Sequence, residues 1–408
     1  MSIIFRMYAR TYQAIFKVVS TLFVKIPEPI LIEGPGSLSS VPALLMKEQL
    51  TSVMIVTDKG IVQTGLMDSL LKELQHQSIR FVVFDEVKPN PTIEQIETAL
   101  SLYNKELLKG VIAIGGGSPI DLAKAMLARH VRPKKSIPQL KGVLKVGKKL
   151  PLLIAVPTTS GTGSEATLAA VVTNLNTLEK YAINDPHLVP KYAILDPLLT
   201  MKLPKHLTAT TGMDALTHAV EAYIGYANTL ATKQASEEAV RLIYKHIGPC
   251  VLQESNIEAR SKMQKAAYLA GYAFTRAYVG NIHAIAHTLG GFYNVPHGLA
   301  NAVLMPVVLR AYGKKVHIPL AKLADLAHVC GPRDSTAEKA EKFIQSIEEM
   351  NLAFGIPRWF EVIQEIDIPK MATRANQEAN PLYPVPVLFR KVDFEDIYRK
   401  VSRKAEFV

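Results

Sequence analysis

The sequence predicts an α/β protein in two parts: an N-terminal domain on a parallel, doubly wound sheet, then a second part built of helices. Three observations predict this. Short apolar, β-branched runs alternate with helical patterns through the first half. Those runs are continuously apolar, as strands covered on both faces require. From about Pro204 onward long helical patterns take over and convincing strands disappear.

In chain order, Val53-Met54-Ile55-Val56-Thr57 reads as a strand stopping at Asp58-Lys59-Gly60, with a helical pattern through Leu66, Leu70, Leu71 and Leu74 behind it. Phe81 to Phe84 is a second strand, ending near Pro89-Asn90-Pro91-Thr92; a helix through Ile93, Ile96 and Leu100 leads to a third, Val111 to Ile114. Gly115-Gly116-Gly117-Ser118 follows, with Pro119 suited to a first helical turn and Asp121 favouring the positive end of that helix. Leu152 to Val156 and Tyr192 to Leu195 complete the strands. Segments 232–247 and 256–278 read as long helices. The expected division is an extension at 1–27, an α/β domain at 28–200 and a helical domain at 201–408.

At 408 residues the chain exceeds one ordinary core, since single cores rarely grow past about 250–300 residues. Cys250 and Cys330 are the only cysteines, which gives neither a disulfide framework nor a CxxC metal site and favours a reducing cytoplasm. The net charge of +11 is not gathered into an aromatic-interleaved stripe, so nucleic acid is not expected as a partner. Its densest run, from Arg132, Pro133, Lys134 and Lys135 to Lys141, Lys145, Lys148 and Lys149, reads as a solvated surface loop.

Two segments raise the question of a membrane. Residues 1–27 carry Arg6, Arg10, Lys17 and Lys25, no acid, and the apolar set Ile3, Ile4, Phe5, Ile15, Phe16, Val18, Val19, Leu22, Phe23 and Val24. The pattern shares features with a transit peptide or an interfacial helix. Lys17 interrupts it and no small-residue cleavage site follows, so the expectation is a helix packed on the body or on another subunit, in a homo-oligomer, most simply a dimer. Residues 277–309 lack Asp, Glu, Lys and Arg, but three histidines, Pro296 and Pro306 suit core helices around a metal better than a transmembrane span.

The chemistry lies in five features. Gly115 to Ser118 would let backbone N–H groups approach a pyrophosphate at a helix N-terminus; it is not the GxGxxG fingerprint, and a tight turn without ligand reads equally well. Asp58 could accept from ribose hydroxyls and repel a 2′-phosphate, or simply cap a helix. Pro157-Thr158-Thr159-Ser160-Gly161-Thr162-Gly163-Ser164-Glu165, directly after a strand, offers hydroxyls and amides to a phosphate or a carboxamide, or a capped helix start. Asp214-Ala-Leu-Thr-His218 puts a carboxylate and an imidazole on one helical face. His283, His287 and His297 lie within fifteen residues. A carboxylate with imidazoles suits a divalent first-row metal, and spacing leaves open which of the three histidines complete the set. A dinucleotide and a Lewis-acid metal on one chain imply hydride transfer to or from a carbonyl.

At these residues the chain resembles the iron-containing (group III) alcohol dehydrogenases, from about Glu33 to Tyr398. The motifs are Gly-Gly-Gly-Ser-Pro-Ile-Asp at 115–121, Pro-Thr-Thr-Ser-Gly-Thr-Gly-Ser-Glu at 157–165, Asp-Ala-Leu-Thr-His at 214–218, His-Ala-Ile-Ala-His-Thr-Leu-Gly-Gly at 283–291 and Pro-His-Gly-Leu-Ala-Asn at 296–301. The resemblance implies the dehydroquinate synthase-like architecture, an α/β Rossmann-like N-terminal domain and an all-α C-terminal domain with a cleft between them, and metal ligation by Asp214, His218, His283 and His297. It implies that His287 is a non-ligand histidine beside the substrate that relays protons, and that Phe274 walls the substrate pocket. It implies cofactor contacts from Asp58, Asn90, Gly116, Gly117, Ser118, Thr158, Thr159 and Lys180. Residues 1–27 and the basic stretch 130–150 fit the family pattern poorly.

The expected reaction is hydride transfer between a primary alcohol or aldehyde and NAD, with NADP as the alternative, at Fe²⁺, with Zn²⁺ as the alternative. The rival readings are a glycerol-type polyol dehydrogenase and a non-redox enzyme of the dehydroquinate synthase type. The latter's acidic sugar phosphate would need several convergent basic residues, and near the ligands only Arg276 stands out.

Overall fold

Six apolar segments pair into one parallel sheet. The computed structural model describes residues 3–253 and 255–402. The strands are β1 (Ile30–Glu33), β2 (Ser52–Val56), β3 (Arg80–Phe84), β4 (Gly110–Gly115), β6 (Leu152–Pro157) and β9 (Tyr192–Leu195), in the order β1-β9-β6-β4-β2-β3. Successive side chains point to opposite faces. Met54, Val56, Val111, Ala113, Leu153 and Ala155 enter one core. Val53, Ile55, Ile112, Ile114, Ile154 and Val156 enter the other. Each of the valine, leucine, isoleucine and methionine side chains, fully buried, contributes about 1.5–3 kcal/mol, which is why these strands read as unbroken apolar runs.

The chain runs from β2 outward to β3, then returns to β4 on the other side of β2. The direction of winding therefore reverses between β2 and β4. In open α/β sheets ligands bind beyond the strand carboxyl ends at that reversal. Asp58 follows β2 and Gly116 follows β4, so they flank it.

A second, three-stranded sheet was not legible in the sequence: β5 (Gly142–Val143), β8 (Glu179–Asn184) and β7 (Ala169–Asn174), with β7 and β8 antiparallel. The basic stretch ties into it. Its lysines are exposed as expected apart from the half-buried Lys135, but Ile137, Leu140 and Val146 are fully buried and anchor it, and Lys141 pairs with Glu179.

By its internal contacts the chain forms two units: Ile26–Leu203 with Glu254–Tyr268, and Met1–Lys25 with Pro204–Gln253 and Leu269–Val408. The second is helical. It contains helices Lys205–Ile224, Leu230–Leu252, Asn281–Tyr293, His297–Tyr312, Ile368–Ala379 and Lys391–Ser402. The uncharged segment 277–309 supplies two of them, and no described helix is long and apolar enough to cross a membrane.

The N-terminal extension docks on the body, one of the two placements expected for it. Residues Ile3–Phe23 are a helix packed on the helical unit, but with the polar side inward. Arg10 donates to the carbonyls of Val385 and Pro386, Gln13 to those of Pro381 and Tyr383, and Lys17 to those of Tyr226 and Asn228. Phe16 packs edge-on to Tyr278, and Phe5 and Val24 are half-buried. Ile3, Ile4, Ile15, Val18 and Val19 are exposed, so the body of this chain does not cover them; the Leu22 and Phe23 side chains lie outside the described residues. Carbonyls at 381–386 and 226–228 need donors, and a helix satisfies them only by turning its polar face to the body.

Candidate active site

Helix Lys205–Ile224 carries Asp214, His218 and Glu221 at spacings of four and three, so all three share one face. Helix Asn281–Tyr293 carries His283 and His287 one turn apart. His297 opens helix His297–Tyr312 directly after Pro296, and Asn301 follows one turn on. One ligand atom each from Asp214, His218, His283 and His297 lies within 4.8 Å of all the others. Asn301 Nδ2 sits 2.7 Å from Asp214 Oδ1 and 3.2 Å from Nε2 of both His283 and His297, so these three donors converge on a common point.

That arrangement fits a metal. With bonds of about 2.0–2.2 Å, adjacent donors sit roughly 3–3.5 Å apart and opposite donors about 4.2 Å, so the set needs only sub-ångström adjustment. One hard oxygen and three imidazoles suit divalent iron or zinc. Glu221 orients the set: His283 Nδ1 is 2.5 Å from its Oε2, which leaves Nε2 for a metal. The same carboxylate accepts the backbone N–H groups of Gly280 and Ile282, both at 2.8 Å. Burial pushes Glu221 up to about 7, and these N–H donors oppose that shift.

His287 lies beside the four without joining them. Its ring stacks on that of His297 at 5.4 Å, and its Nδ1 is 2.6 Å from Glu378, which also accepts from the Tyr383 hydroxyl at 2.7 Å. Phe274 stacks on His218, ring centroids 4.2 Å apart at 16°. Spacing had left three histidines open; the geometry groups His283 and His297 with Asp214 and His218. Sequence reasoning missed Glu221, Asn301, Glu378 and Tyr383. Glu221 had a signal, since it continues the Asp214–His218 face; Asn301 stands one turn after His297. Glu378 had none, because only the fold brings it to His287.

The residues expected to contact a cofactor all belong to the α/β unit. Helix Gly117–Val131 begins at Gly116 without a side-chain cap, so its first N–H groups face outward as an anion site. A Cβ on Gly116 would come within 3.4 Å of Thr159, and one on Gly117 within 2.8 Å of Thr162. The first is ordinary contact; at Gly117 a side chain would crowd the cradle unless Thr162 moved. Ser118 lies in the first turn of that helix. Thr158 N–H donates to Gly115 at 2.9 Å, holding the loops after β4 and β6 together. Asn90, in a left-handed conformation, accepts from Lys180 Nζ at 2.9 Å. Asp58 Oδ1 caps the next helix through Ile61 N–H at 3.0 Å, so its capping role is realised. These features fit a dinucleotide pyrophosphate.

Known proteins agree with this architecture. The family description "Iron-containing alcohol dehydrogenase" matches residues 28–197, and "Fe-containing alcohol dehydrogenase family, C-terminal" matches residues 208–402. The 1,3-propanediol dehydrogenase of Klebsiella pneumoniae is 38% identical over 85% of this chain and 90% of its own length. The NAD-dependent methanol dehydrogenase of Bacillus methanolicus is 33% identical over 86% of this chain and 92% of its own. A crystal structure of 1,3-propanediol oxidoreductase superposes with a TM-score of 0.88 at 35% identity, covering 92% of this chain and 99% of that one. The chain belongs to the iron-containing alcohol dehydrogenase family, a class of oxidoreductases, and Asp214, His218, His283 and His297 are its candidate metal site.

Proposed function

We propose that the protein interconverts a primary alcohol and its aldehyde, with NAD as hydride carrier and a divalent metal, Fe²⁺ in the first instance, held by Asp214, His218, His283 and His297. In this reading residues 28–200 bind the dinucleotide, residues 201–408 hold metal and substrate, and 1–27 are an extension. The observation that carries it is the convergence of one carboxylate and three imidazoles within 4.8 Å. The metal, when bound, supplies Lewis acidity that lowers the pKa of the alcohol.

The chain's own residues do the rest. The glycine cradle and the uncapped helix end at Gly117 bind the pyrophosphate. Asp58 disfavours a 2′-phosphate by charge, which supports NAD over NADP. Phe274 walls the substrate pocket beside His218. His287, oriented by Glu378, takes the alcohol proton and passes it toward solvent. Two free cysteines suit a cytoplasmic enzyme. Edge strand β1, with Ile30 half exposed, offers a surface for a homodimer. The test is steady-state NADH formation over a panel of C2 to C6 alcohols and diols, with metal content measured on the same sample. Turnover in step with bound metal is the expected result; turnover in metal-free protein contradicts the reading.

A further inference from the structure

The N-terminal helix lies outside the matched family region, which begins at residue 28. It shows the solvent an apolar face. Ile3 is 76% exposed, Ile4 80%, Met7 66%, Tyr8 55%, Ile15 59%, Val18 55% and Val19 44%. At 3.6 residues per turn these side chains fall within an arc of about 160°. A coiled-coil seam uses only two positions per heptad and is narrower. Singly scattered exposed apolar residues need no explanation, whereas a continuous stripe of this kind marks an interaction surface.

The rim of the stripe selects the partner. No acidic residue precedes Glu28. Arg6 and Lys25 are exposed and have no ion-pair partner among the described residues. Tyr8, Tyr12 and Phe16 form a ladder of neighbouring rings along one flank, with centroids 6.3 and 6.0 Å apart. Aromatic rings and basic side chains beside a wide apolar face are what a helix lying in a membrane interface carries. Arg10, Gln13 and Lys17 meanwhile clamp the opposite face to the body, so the apolar face is held outward.

We propose that the outward face of helix Ile3–Phe23 docks the protein on the surface of an anionic lipid bilayer. The helix lies in the plane of the interface, its isoleucines and valines among the acyl chains and Arg6 and Lys25 near the headgroup phosphates. The binding is peripheral and leaves the active site in the aqueous phase. It is independent of the reaction proposed above.

The experiment is vesicle flotation of the full-length protein. Vesicles of phosphatidylcholine with about one-third phosphatidylserine are compared with pure phosphatidylcholine at low and high salt. The protein should float with the anionic vesicles and be retained less by the neutral ones and at high salt. The triple variant Ile4→Glu, Ile15→Glu, Val18→Glu should lose at least about tenfold in bound fraction, with an unchanged circular-dichroism spectrum because all three positions are exposed. Arg6→Glu should weaken binding less and flatten its salt dependence. Absence of wild-type binding to anionic vesicles overturns the proposal, as does equal binding of the triple variant. If wild type ignores vesicles and the triple variant falls in mass by light scattering, the face belongs to a second copy of the chain.

Discussion

The Nδ1 atom of His283 lies 2.5 Å from Oε2 of Glu221, and both side chains are almost wholly buried. One carboxylate thus fixes both the ring of a candidate ligand and, through Gly280 and Ile282, the start of the helix that carries it. Glu221→Gln should therefore weaken metal binding by about 10- to 100-fold, as loss of a partner behind a ligand does. His283→Ala should abolish both bound metal and turnover. Chelator competition followed by elemental analysis measures each; full metal content in His283→Ala removes that residue from the site.

His287 meets Glu378 through Nδ1 and lies beside the four-residue cluster without joining it. His287→Ala should keep its metal while turnover falls by about 10²- to 10⁴-fold, the usual range for a lost proton-transfer group. Glu378→Gln should give a smaller loss, since the imidazole remains but its orientation loosens. A several-fold drop in metal occupancy in His287→Ala would make it a ligand and displace another histidine.

Asp58 does two things at once. Its Oδ1 caps a helix, and its charge stands where β2 ends. Asp58→Gly should shift preference toward NADP(H) and lower stability by only a few tenths of a kcal/mol, because glycine is itself an acceptable cap. Kinetics with both cofactors and a thermal melt separate the two effects. A wild-type preference for NADPH would refute the charge argument.

The cradle at Gly117 has no room for a side chain. A Cβ there would lie 2.8 Å from Thr162 Cγ2. Gly117→Ala should cost about 1–3 kcal/mol in strain and weaken NADH binding by about tenfold, with metal content unchanged. Fluorescence titration with NADH measures the binding; an unaltered affinity and melting temperature would mean that the loop does not hold the cofactor.

The parts of the fold that packing dictates were readable in the sequence. Strands β2, β4 and β6 are buried on both faces and announce themselves as unbroken apolar runs. The hairpin of β7 and β8 does not, because its buried residues alternate with half-buried ones and polar positions interrupt both strands. Edge strand β1, four residues long and exposed at both ends, gave no periodicity to read. The candidate ligands were visible as Asp214, His218 and a group of histidines in an uncharged stretch, yet choosing among those histidines took the three-dimensional convergence. Glu378 was invisible, since nothing local ties it to a histidine 91 residues away. The N-terminal helix was legible as a helix but not in its orientation, which three hydrogen-bonding side chains decide against the apolar majority.

The central claim is that Asp214, His218, His283 and His297 hold one metal on which alcohol oxidation depends. The most direct measurement is NADH formation from a primary alcohol, followed together with bound metal, as purified protein is stripped by chelator and reloaded with Fe²⁺ or Zn²⁺. The account predicts about one metal per chain, activity that falls and returns with it, and neither in Asp214→Ala. Undiminished turnover in metal-free protein, or in Asp214→Ala, would contradict it.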